Sequence, residues 1–183
     1  MTEITAVTYH YVREIKNSKY PNLKGLEYTK FKNQLDYFTK NFKFIDPSEL
    51  YNHNKFSENS CLLTFDDGFK DHIDYVLPEL KKRKIKAIFF PPALPIEKET
   101  VLNTHLLHFI LEKTQDFKKL NLELFQILKK YNFTDSEIKK LWENNNYRNK
   151  FDNSDVSFFK RLLQRVLPLN LRDKITKKLF EEK

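Results

Sequence analysis

The sequence predicts an α/β fold in its first half followed by an all-helical segment. Strand and helix patterns alternate as far as Phe90. Two apolar runs, Cys61 to Phe65 and Lys86 to Phe90, are continuous, as expected for strands of a parallel sheet. From Val101 onward only helical periodicity can be read. The change falls near residue 96, so an α/β domain over 1–95 and a helical appendage over 96–183 are expected.

The first expected strand covers residues 4–12, rich in Thr, Val and Tyr. Residues 27–42 place Phe31, Leu35 and Phe38 on one helical face, with Tyr28 and Phe42 extending the stripe. A short strand follows over 42–45. Asp46-Pro47-Ser48-Glu49 then reads as a cap, a first-turn proline and an acid three residues after the cap. Beyond the Cys61 run, residues 71–84 set Ile73, Val76, Leu77 and Leu80 on one side of a helix. Lys81-Lys82-Arg83-Lys84 closes that helix with cations suited to its dipole. The Lys86 to Phe90 strand ends at Pro91-Pro92. Five helices are expected after it, at about 101–114, 116–131, 135–146, 154–167 and 170–182, with a polar loop at 144–153.

A net charge of +8 is spread along both halves, and no recognised nucleic-acid motif accompanies the basic run, so a nucleic-acid partner is not expected. Cys61 is the single cysteine; it excludes an internal disulfide and a cysteine zinc cluster, and its apolar setting suits a buried thiol. No leader-like start and no span of about 20 apolar residues is found, which gives the expectation of a soluble, cytoplasmic chain.

The chemistry concentrates at Thr64-Phe65-Asp66-Asp67-Gly68. An apolar strand ends there in two adjacent acids, at the edge where parallel sheets hold their sites. Neighbouring carboxylates repel unless a cation or hydrogen bonds offset the charge. One acid on a metal and one free to accept a proton from water would resolve that conflict. Taken alone, Asp-Asp-Gly is equally a turn and a helix start.

The flanking residues extend the pattern. Leu77-Pro78-Glu79-Leu80 and Ala87-Ile88-Phe89-Phe90 follow the acids, and Tyr9-His10-Tyr11-Val12, Gln34-Leu35 and Pro47-Ser48-Glu49-Leu50 precede them. As an ordered series over residues 4–95 this resembles the polysaccharide deacetylase family, the NodB-homology or family-four carbohydrate esterases. The resemblance implies a partial (β/α) barrel of the NodB type, with Asp66 as general base, Asp67 as ligand to a divalent metal, commonly zinc, and His10 as general acid. It implies hydrolysis of N-acetyl groups on a carbohydrate.

The same resemblance exposes a gap. The family's His-(Ser/Thr)-x-x-His metal motif is absent, as is its later Arg-x-Pro motif. His105 and His108 are three apart rather than four and precede an apolar helical stretch, so at least one is expected to pack rather than bind; His53 and His72 read as surface residues. The sequence therefore predicts an incomplete metal site in a truncated, disrupted or split enzyme. It also predicts an exposed sheet edge near Phe89 and Phe90, open to self-association or to a separately encoded C-terminal half. The rival reading is a catalytically silent carbohydrate-binding or interaction module on the same scaffold.

Overall fold

Strand order in the first unit follows from which residues can be buried on both faces. The computed structural model describes residues 4–52, 56 and 59–183, and the chain divides into two units, Met1–Glu99 and Thr100–Lys183. The first contains β1 (Ile4–Tyr9), β2 (Val12–Arg13), β3 (Leu26–Glu27), α1 (Tyr28–Asn41), β4 (Lys43–Phe44), β5 (Ser60–Asp66), α2 (Leu77–Arg83), β6 (Ala87–Phe90) and α3 (Ala93–Lys98). β5 is central: it is buried from Ser60 to Phe65, as its uninterrupted apolar run requires. β1 lies parallel along one edge, from Ile4 beside Ser60 to Tyr9 beside Phe65. The other edge is shared, β4 meeting Ser60 and Cys61 and β6 meeting Leu63 to Asp66. All of these pairings are parallel. The α/β expectation holds; among the described residues the main sheet has four strands.

Several boundaries differ from the sequence reading. The expected strand at 4–12 breaks at His10 into β1 and β2, and β2 pairs with β3 rather than with the main sheet. Gly25 stands where β3 approaches; a Cβ there would fall 2.7 Å from Cβ of Tyr11. The helix opened by Asp46 is a 3₁₀ segment, Pro47–Asn52. Asp46 Oδ1 accepts from the Ser48 backbone N–H at 3.1 Å, and its other oxygen pairs with Lys86. Those bonds, Lys86 first and then Ser48, hold its carboxyl down to about 2. β6 is not the buried strand expected. Its residues are half-buried and Phe90 is 54% exposed, because among the described strands it has β5 as its only neighbour.

The core of this unit is aromatic. Phe31 and Leu35 of α1 are fully buried with Leu63 and Phe65 of β5, and Cys61 is a buried free thiol whose pKa burial pushes up. Glu79 is buried where α1 and α2 are linked: Tyr28 Oη donates to it at 2.9 Å, and Arg83, itself paired with Asp36 at 2.5 Å, lies 3.4 Å away. Burial opposes its ionisation, yet the Tyr28 and Arg83 bonds and the charges of Arg83 and Lys82 prevail and lower its pKa.

The second unit comprises α4 (Asn103–Lys113), α5 (Phe117–Lys130), α6 (Asp135–Asn145), α7 (Ser154–Arg161), which runs into a π-helical turn at Leu162–Val166, and α8 (Leu169–Glu181). The i, i+3/i+4 apolar positions form its own core, including Leu107, Leu124, Phe158, Leu162 and Leu179. Short polar side chains start three of the helices: Asp116 accepts from Lys119 N, Asn153 from Val156 N, and Thr134 forms a reciprocal capping box with Glu137. Thr134→Ala removes that box and is expected to cost the unit about 1 kcal/mol, read as a fall in the urea midpoint with an unchanged slope. Among the described residues no helix is long and apolar enough to cross a membrane.

Candidate functional site

Strand alternation builds the site. In β5 successive side chains face opposite sides, so Thr64 and Asp66 share one face and Phe65 takes the other. The β1 register repeats the pattern one strand away. Thr8 stands beside Thr64, with Thr64 Oγ1 donating to Thr8 Oγ1 at 2.9 Å. Tyr9 stands beside Phe65, and the rings stack with centroids 5.2 Å apart. The next residues along each strand are His10 and Asp66, and their side chains meet: His10 Nε2 lies 3.8 Å from Asp66 Oδ2. Both remain open to solvent, the His10 side chain 54% and the Asp66 side chain 35% exposed.

Asp66 and Asp67 are separated by a backbone switch. Asp66 still pairs in register with Phe90. Asp67 has φ +73° and Gly68 φ +61°, two successive left-handed residues that turn the chain off the sheet. Aspartate is among the few non-glycine residues that adopt this region readily. At Gly68 there is a second constraint, since an added Cβ would lie 2.9 Å from Cβ of Pro91. The Pro91-Pro92 segment after β6 thus rests on the acidic turn, which ties the site to the strand two elements later.

The segment behind the turn is the main correction to the sequence reading. His72, expected at the surface, is buried at 3% exposure. Its Nε2 lies 2.9 Å from the backbone carbonyl of His10. Asp71 beside it is also buried and accepts from Arg13 Nε at 2.6 Å. Residues His72–Val76 form a π-helical turn, in which Leu77 N–H reaches back to the His72 carbonyl. The wider turn shifts the buried face by one residue: His72 and Val76 point inward, while Ile73, expected in the apolar stripe, is 66% exposed. Periodicity calculated for an α-helix has no means of signalling this. Tyr11 completes the surroundings, stacked on Phe69 at 4.0 Å. Burial raises its phenol pKa; Arg13 pulls the other way, and Asp67 and Asp71 add to the rise.

A divalent cation, which the resemblance implies, needs about three protein ligands and an open position in a catalytic site. Among the described residues no group of three or more His, Cys, Asp and Glu side chains could hold one. Asp67 with its neighbours does not fit a complete metal shell. His105 and His108 lie on α4 in the second unit, His105 buried and the ring centroids 6.2 Å apart. His53 lies outside the described residues.

A parallel sheet whose central strand ends in paired acids beside a histidine defines an α/β protein with a candidate hydrolytic site. Residues 53–105 match the family model for polysaccharide deacetylase, and to that family this stretch is similar. No curated protein matches the chain. Among solved structures it is similar to a de-N-acetylase from Aggregatibacter actinomycetemcomitans at 17% identity and a TM-score of 0.44, covering 52% of this chain and 39% of that one. It is similar to the Streptococcus pyogenes deacetylase PplD in complex with acetate at 24% identity and a TM-score of 0.43, covering 60% and 51%. It is also similar to IcaB from Ammonifex degensii at 25% identity and a TM-score of 0.42, covering 61% and 52%. The chain thus spans about half or less of each of these structures.

Proposed function

We propose that this chain is the N-terminal portion of a carbohydrate N-deacetylase of the NodB barrel type. Asp66 acts as general base, His10 as general acid, and Asp67 supplies one ligand to a divalent metal, zinc being the family's common choice. The observation that carries the reading is the His10–Asp66 pair, 3.8 Å apart at the C-terminal edge of the parallel sheet. A base and an acid so placed can serve one reacting centre. Asp66 takes the proton of the attacking water, and His10 returns a proton to the amine as the C–N bond breaks. The remaining ligands of the metal do not come from the described residues. The substrate class is an N-acetylated carbohydrate.

The test titrates the purified chain with zinc and measures acetate release from N-acetylglucosamine oligomers. The assay is run with the chain alone and with a supplied segment bearing the family's histidine motif. Weak zinc binding and no release are expected from the chain alone, since one carboxylate supplies too little of a tight site. Release is expected once the segment is added. Failure under both conditions, with the oligomers still bound, would favour the silent carbohydrate-binding module.

A further inference from the structure

We infer that His72 is a positioning residue that sets the orientation of His10 against Asp66; the inference rests on the reading of His10 as the acid. At His10 the chain leaves the main sheet, between β1 and β2. Its carbonyl is met there by a side chain, His72 Nε2 at 2.9 Å. A carbonyl can only accept, so Nε2 carries the proton and the His72 ring is the Nε2–H tautomer. Nδ1 agrees with this assignment, being buried with no hydrogen-bond partner among the described residues.

The ring has little freedom to do anything else. It sits against Phe65, Phe69 and Phe89, with centroids 5.5, 5.9 and 5.8 Å away. The π-helical turn that starts at His72 directs it inward, and such single wide turns recur at functional sites. One residue earlier, Asp71 grips Arg13 on the same stretch of chain. The pair Asp71-His72 therefore fastens residues 10 to 13 at two points from behind. The acidic turn itself introduces that pair, so the base and the backbone support of the acid come from one continuous segment, 66–72. Without the donor, the His10 backbone would be free to rotate its ring away from Asp66 while the sheet stayed folded.

The experiment is histidine-selective NMR on the full chain, in the wild type and in His72→Gln and His72→Phe variants. The Gln amide reaches about as far as Nε2 and can still donate; Phe fills the space and cannot. Each is compared with and without Asp66→Asn, and the readout is the change this substitution causes in the His10 ring signals. We expect that change to persist in His72→Gln and to be lost in His72→Phe, with urea midpoints recorded in parallel. An unaltered response in His72→Phe, or equal loss in both variants, would overturn the inference. If the Phe variant does not fold, the wild-type ¹⁵N shifts of His72 decide: protonated Nε2 with bare Nδ1 is expected, and the reverse tautomer removes the bond on which everything rests. This readout needs no turnover. Absence of acetate release even with the histidine-bearing segment supplied, the His10 response being intact, would defeat the deacetylase reading and leave the positioning role standing.

Discussion

Phe65→Ala should destabilise the α/β unit by about 3–5 kcal/mol, the usual cost of emptying a fully buried aromatic site. Phe65 is 0% exposed and stands in the middle of a row of rings set by strand register. Tyr9 on β1 stacks on one side at 5.2 Å and Phe89 on β6 on the other at 5.0 Å, with Phe31 edge-on at 6.1 Å. Removing the central ring leaves both stacks without a partner, and each aromatic pair is worth roughly 0.5–1.5 kcal/mol beyond burial. Among the described strands, β1 and β6 each join the main sheet through β5 alone. A loss of that size is a large part of a typical domain's stability of about 5–15 kcal/mol. Amide hydrogen exchange is the check. Protection should collapse through β1, β5, β6 and α1, whose buried residues form a core distinct from that of the helical unit. Unchanged exchange in β5 would show that the aromatic row is not what holds the sheet.

The same row explains how much of the site could be read from the chain. A run such as Cys61-Leu62-Leu63-Thr64-Phe65 has the pattern of a strand buried on both faces, and period-two alternation then fixes which side Asp66 takes. His10 entered through the resemblance to the deacetylase family, and in the structure the parallel register of β1 on β5 brings it beside Asp66. The helical unit was equally legible: its apolar stripes are regular and its starts carry Asp116, Thr134 and Asn153 as caps. What escaped was local geometry. Alternation could not foresee the break at His10 that moves β2 onto β3, and α-helical spacing put Ile73 inside where the π-helical turn puts His72. Burial of β6 was overestimated because an apolar run reports what a strand can bury, and its neighbours decide what it does bury. Phe90 at 54% exposure is the result.

On the proposed reading, Asp66→Asn and Asp67→Asn should separate two adjacent acids by different losses, in the chain supplied with a histidine-bearing segment. Asn keeps the shape of Asp and accepts the left-handed backbone at position 67, where φ is +73°, so neither change should unfold the turn; Ala at 67 would add strain and confuse the result. Asn at 66 cannot take a proton. A general base contributes about 10²–10⁴-fold to rate, and kcat should fall by that factor with KM little changed and zinc binding retained. Asn at 67 replaces a charged oxygen ligand by a neutral one and should weaken zinc binding and acetate release together. The geometry supports this division: Asp66 sits in register on the sheet beside His10, whereas Asp67 has already turned away. Zinc calorimetry and acetate assay on both variants provide the measurement. Retained turnover in Asp66→Asn would move the base elsewhere, and zinc affinity lost equally in both variants would mean that the two carboxylates act as one ligand pair rather than as a base and a ligand.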